Sequence, residues 1–144
     1  VEKRISVQDL EPKAFQAVFG LEKYLSTIEL DSNLRELIKL RASQINGCAY
    51  CIQMHAEDAR KNGETETRIY ALSAWRESPL FSPMERAVLA LTEETTRLSV
   101  GGVTKETYAD ALKHLGENHL AQAIMQIATI NAWNRIAVAT RMQH

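Results

Sequence analysis

At 144 residues the chain is long enough to bury most of its unfolded surface in one domain, without a disulfide or metal staple. Its 45% apolar and 24% charged residues exclude a disordered, collagenous or low-complexity chain. Seventeen Lys and Arg against eighteen Asp and Glu leave a net charge of −1, which gives no broad field for a phosphate backbone or an anionic bilayer. Nucleic acid and membrane are therefore not expected as partners. No apolar run reaches the roughly 18–20 residues that span a bilayer, and Val1-Glu2-Lys3-Arg4-Ile5-Ser6 lacks the apolar stretch of a secretory signal. The expectation is one cytoplasmic domain over 1–144.

In chain order, apolar periodicity and punctuation predict helices at 12–27, 32–46, 48–62, 66–77, 83–99, 105–115 and 118–141, with no segment alternating as a strand. Pro12 suits a first helical turn. Gly20 is read as ending one helix or admitting another backbone. Asp31 or Ser32 caps the second helix, whose Leu34, Leu37, Ile38, Ala42 and Ile45 mark one buried face. Asn46-Gly47 breaks that helix, and Gly63, Gly101-Gly102 and Gly116 read as later stops. Ser82-Pro83 with Glu85 forms a capping box with proline at the first helical position, and Thr104 caps the sixth helix. The pattern predicts an all-α fold, a single-domain bundle of about six or seven helices.

The last segment differs from the others. Fourteen of the twenty residues from Leu120 to Ala139 are apolar, too many for a stripe, so burial on nearly every side is expected. Such a helix forms the bundle centre or is covered by another subunit, and Trp133 is of a type that interfaces favour.

The densest cluster of reactive side chains is Cys48-Ala49-Tyr50-Cys51-Ile52-Gln53-Met54-His55. In a reducing compartment two cysteines usually stay thiols. Here they are i and i+3 at a helix start, where unpaired N–H groups and the positive end of the helix dipole stabilise a thiolate. That argument nominates Cys48 as the more acidic thiol. His55 is i+4 from Cys51, placed to accept a thiol proton. Glu36 lies eleven residues before Gly47 and His55 eight after it, about 16 and 12 Å from the turn at 1.5 Å per residue, so Glu36 reaches His55 if the helices fold back on each other. Against these roles stand the readings of small buried cysteines, a satisfied helix histidine and a solvated glutamate. A zinc site would take Cys48, Cys51 and His55, but His114, His119 and His144 have no motif spacing to supply a fourth ligand, and no metal is expected. A thioredoxin context would put a strand before the dithiol, whereas a helix precedes it.

Glu36, then Cys48-x-x-Cys51, then His55 resembles the Glu…Cys-x-x-Cys-x-x-x-His signature of the alkylhydroperoxidase D-like proteins within the carboxymuconolactone decarboxylase family. The likeness continues through Asn131-Ala132-Trp133-Asn134-Arg135-Ile136-Ala137 and covers most of the chain. It implies an all-α fold, homo-oligomers that are trimers or hexamers, and reduction of a small hydroperoxide through the two thiols. On this resemblance Cys51 is the peroxidatic thiolate, Cys48 the resolving thiol, and His55 with Glu36 the proton relay. An external dithiol restores the enzyme, and no metal, flavin or nucleotide cofactor is called for. Tyr50 departs from the pattern, standing where well-studied alkylhydroperoxidases carry a second histidine; a phenol of pKa near 10 relays protons poorly near neutrality. The alternatives are a carboxymuconolactone decarboxylase-like enzyme, whose chemistry needs no dithiol, and a non-catalytic redox-sensing oligomer.

Overall fold

The computed structural model describes residues 2–144; Val1, where the expected domain begins, lies outside the described residues. Seven α-helices are present: α1 (Val7–Leu10), α2 (Pro12–Leu25), α3 (Ser32–Asn46), α4 (Ala49–Lys61), α5 (Glu66–Ala71), α6 (Pro83–Thr96) and α7 (Lys105–Thr140). There is no strand among the described residues. None of the helices among these residues is long and apolar enough to cross a membrane.

The helices begin where local chemistry satisfies their first N–H groups. Asp31 accepts from Asn33 and Leu34, Thr104 accepts from Thr107, and Ser82 with Glu85 closes the full capping box. α3 forms the middle of the bundle and packs on α4, α6 and α7. Leu34, Ile38 and Ala42 of α3 meet Val88 and Leu91 of α6 and Ala123, Ile127 and Ile130 of α7. The other side of α3 sends Leu37 and Leu40 against Ala59, Leu72, Trp75, Phe81 and Leu89. Buried Glu93 ties these layers together, accepting from Trp75 Nε1 at 2.7 Å, Arg76 Nη1 at 2.6 Å and Arg41 Nε at 3.1 Å. Burial alone would raise its pKa, but the bonds from Arg76, Trp75 and Arg41 outweigh that and hold it below the usual carboxylate value.

Several expectations are corrected. α1 is additional to the helices anticipated, whereas the stop expected at Gly116 holds: its φ of 77° and ψ of 168° are non-helical, open to glycine alone, and divide α7 into the two helical stretches expected on either side. The 66–77 segment stops as an α-helix at Ala71 and tightens into a 3₁₀ turn over Leu72–Ala74, which delivers Leu72 and Trp75 to the core; 83–99 likewise ends at Thr96. Gly20 lies within α2 with nothing within 4 Å of where a Cβ would stand, so it neither ends a helix nor admits a backbone. The apolar end of α7 is buried on one side only. Leu120, Ala123, Ile127, Ile130 and Ala137 face the core, whereas Ala121, Ile124, Ala128 and Val138 face outward. Trp133 is not on that outward face: it packs edge-to-face on Phe15 and Phe19 of α2, centroids 5.1 Å away in both cases, and donates to Glu22 Oε1 at 2.9 Å.

Candidate active site

The turn between α3 and α4 sets the geometry. Gly47 takes the left-handed conformation (φ 65°, ψ 36°), and the N–H groups of Cys48 and Gly47 return to the carbonyls of Ser43 and Gln44. This is a Schellman ending, which reverses the chain and satisfies the last carbonyls of α3. A polar ladder fastens the same end to α7: Asn46 Nδ2 donates to Oδ1 of Asn131 (2.9 Å) and Asn134 (2.8 Å), and Asn134 Nδ2 donates to Ser43 Oγ (3.0 Å). The turn that presents Cys48 is therefore held from both sides.

Cys48 is the N-cap of α4. Its sulfur accepts the backbone N–H of Cys51 at 3.2 Å, the place an Asp or Ser oxygen takes in an ordinary cap. The two cysteines are joined as a disulfide with Cα atoms 5.3 Å apart, within the usual range for such a bridge. Both are buried, with Ala137, Tyr50 and Met142 packed around them. On the side of Cys48 a cleft of about 360 Å³ separates the start of α4 from the end of α7.

One turn beyond Cys51, His55 is buried against Glu36 of α3, with Nδ1 3.8 Å from Glu36 Oε2. Neither atom has a hydrogen-bond partner. The other oxygen of Glu36 accepts from Lys39 Nζ at 2.7 Å. Burial, reinforced by the Lys39 charge, pushes the His55 pKa from its ordinary 6.5 down to about 4. The imidazole is thus neutral near pH 7 in the disulfide state.

Of the four residues that the sequence singled out, the structure joins Cys48 to Cys51 and sets His55 against Glu36, with His55 one turn along α4 from Cys51. It adds two that sequence reasoning missed. Lys39 was legible as the i+3 partner of Glu36, and Asp58 as the next residue after His55 on the same face of α4. Glu36, His55 and Asp58 each offer a ligand atom, all within 4.8 Å of one another, but the counter-charge on Glu36 is an ammonium of the chain itself. His114 and His119 lie apart from this group, with Asp110 and Glu29 as their nearest acidic partners.

The model of the carboxymuconolactone decarboxylase family matches residues 12–94, more than half of the chain and the whole stretch that carries Glu36, both cysteines and His55. The chain belongs to this family. Among its relatives, the Bacillus subtilis protein YdfG is 42% identical over 139 residues, covering 96% of this chain and 95% of its own. A protein of unknown function from Agrobacterium tumefaciens, with the suggested name antioxidant defence protein AhpD, is 38% identical. Its structure superposes with a TM-score of 0.96 over 99% of this chain and 98% of that one. An alkylhydroperoxidase AhpD core from Ralstonia eutropha JMP134, described as a peroxidase-related protein, is 22% identical. It shares the fold at a TM-score of 0.80, over 95% of this chain and 73% of that one. The family resemblance and the all-α fold expected from the sequence are thus met.

Proposed function

We propose that this carboxymuconolactone decarboxylase family member is a dithiol-dependent peroxidase of the alkylhydroperoxidase D type. The observation that carries the reading is the bonded Cys48–Cys51 pair at the N-terminus of α4 with an imidazole one turn away whose buried Nδ1 has no hydrogen-bond partner. The antioxidant and peroxidase-related descriptions of its relatives in Agrobacterium and Ralstonia support it. Decarboxylation of a lactone acid makes no use of a dithiol, and nothing at the site favours it.

In the reduced enzyme Cys51 gives its proton to His55, and thiolate and imidazolium form together. The pKa of about 4 belongs to the disulfide state; a thiolate one turn away raises it by opposite-charge attraction. The Cys51 thiolate attacks the distal oxygen of ROOH and breaks the O–O bond, which leaves a sulfenic acid on Cys51 and an alkoxide that takes the proton from His55. Glu36 holds the imidazole, with Lys39 fixing the carboxylate. The Cys48 thiol then displaces water from the sulfenic acid and closes the disulfide. The balance is ROOH and two thiols in, ROH, water and a disulfide out. An external dithiol supplies the two electrons for the next turn, and no metal or organic cofactor enters the scheme. The protein acts in the cytoplasm as a homo-oligomer, a trimer or hexamer, that covers the outward apolar residues of α7.

The test is multiple turnover. Reduced protein given excess cumene hydroperoxide and dithiothreitol yields many moles of cumyl alcohol per mole of chain. Consumption that stops at one mole per chain would instead make the protein a sensor, and no consumption would reject the peroxidase reading.

A further inference from the structure

We infer that the thiol reductant enters the cleft between the start of α4 and the end of α7 and attacks Cys48 Sγ, expelling Cys51 as the thiolate. This rests on the reading of Cys51 as the sulfur that meets peroxide. Cys48 lines the cleft together with Tyr50, Ala137, Val138, Arg141, Met142 and His144; Cys51 is not among the lining residues. Thiol–disulfide exchange is an in-line displacement at one sulfur, so its outcome depends on which sulfur the incoming thiolate meets and how good a leaving group the other is. A thiolate arriving along the cleft meets Cys48, the one cysteine of the pair that lines it.

The consequence for the cycle is direct. The mixed disulfide forms on Cys48, in the cleft, and leaves the sulfur beside His55 free. The second thiol of the reductant then attacks its own sulfur on Cys48, closes the reductant's disulfide and releases Cys48. Two electrons pass to the protein disulfide, and the two thiol protons end on Cys48 and Cys51.

The walls define the class of reductant. Tyr50, Ala137, Val138 and Met142 are largely apolar, Arg141 supplies a positive charge, Gln143 and His144 add polar groups, and no Asp or Glu side chain lines the cleft among the described residues. Arg141 adopts a left-handed turn (φ 51°) that brings the following residues back over α4, where His144 pairs with Gln53. The cleft therefore suits a thiol on an apolar stem with a neutral or anionic group, and disfavours a cationic one.

The probe is 3-mercaptopropionate, an alkyl thiol with a carboxylate, added in excess to the oxidised protein without peroxide. Iodoacetamide traps the freed thiol, and fragment mass spectrometry locates both labels. The expected product carries mercaptopropionate on Cys48 and carbamidomethyl on Cys51; the reverse pattern, or an even split, overturns the assignment. Val138→Trp, at a 43% exposed position on the cleft wall, should slow this reaction at least tenfold, while reduction in urea matches the parent. Arg141→Glu should slow it severalfold and leave the rate with cationic cysteamine unchanged or raised. Parent-like rates in both variants would reject the cleft as the route. Since no peroxide is present, loss of the peroxidase reading would show in the turnover assay and not here.

Discussion

Replacing His55 with Asn removes the titration but keeps a polar side chain, which isolates the effect of burying an imidazole without a partner. In the unfolded chain this histidine titrates near its ordinary 6.5, and in the folded chain near about 4. Above about pH 7 neither state holds the extra proton, so His55 adds no pH dependence there. As pH falls below 6.5, only the unfolded chain takes up the proton, and folding becomes less favourable until the folded pKa is reached. At about 1.36 kcal/mol per pH unit, the parent loses about 2 kcal/mol from this group by pH 5 and about 3 kcal/mol by pH 4, below which the effect levels off. Glu85, Glu93 and Glu94, whose pKa values are held low, also lose stability in acid, but they do so in parent and variant alike. The assay is urea unfolding of both disulfide-intact proteins at pH 7.5 and 5. The stability difference between parent and His55→Asn should shift by about 2 kcal/mol against the parent at the lower pH. A difference that stays constant would refute the depressed pKa. Lys39→Met, which removes the second cause of that depression, should shrink the shift.

His55→Ala should slow alkylation of the reduced protein at pH 7 by a factor within the roughly 10²–10⁴ range typical of acid–base groups, with alkaline rescue. Glu36→Gln should cost less, and unchanged pH–rate profiles in both variants would remove the relay. Gly20→Ala, in an open mid-helix position, should stabilise the fold by roughly 0.5–1 kcal/mol, whereas Gly116→Ala should destabilise it by about 1–3 kcal/mol because its φ of 77° admits glycine; thermal denaturation separates the two. Light scattering coupled to size exclusion should give a mass of three or six chains, not 16.2 kDa, and Ile124→Glu should lower it.

Most of the bundle was legible because its signals are local. Ser82-Pro83 with Glu85, and Asp31 and Thr104 before their helices, work within one turn, so they act the same way in the sequence as in the fold. α1 was not legible: its four residues bury nothing and rest on one Ser6 cap, too little for a periodic pattern. Gly116 was legible as a stop for a local reason as well, since its non-helical backbone (φ 77°, ψ 168°) suits glycine alone. The four site residues lie within twenty positions and follow helical spacing, and so they emerged together. The Asn46–Asn131–Asn134 ladder that fixes the turn links positions 85 and 88 apart, and no local rule pairs them. Glu93 likewise gave no sign that Trp75, Arg41 and Arg76 would allow a carboxylate to be buried. The one-sided exposure of α7 was hidden for a related reason: Gln122, Gln126, Thr129 and Asn134 sit in the core, where apolar counting does not look for polar side chains.

The central claim is that Cys51 is the sulfur that attacks peroxide and Cys48 the one that resolves it. Rapid mixing of reduced Cys48→Ser with one equivalent of hydroperoxide, followed by dimedone and peptide mass spectrometry, tests it most directly. The account predicts a dimedone adduct on Cys51 in Cys48→Ser, and no adduct in Cys51→Ser, which lacks the nucleophile. An adduct on Cys48 in Cys51→Ser, formed as fast as the parent consumes peroxide, would contradict it.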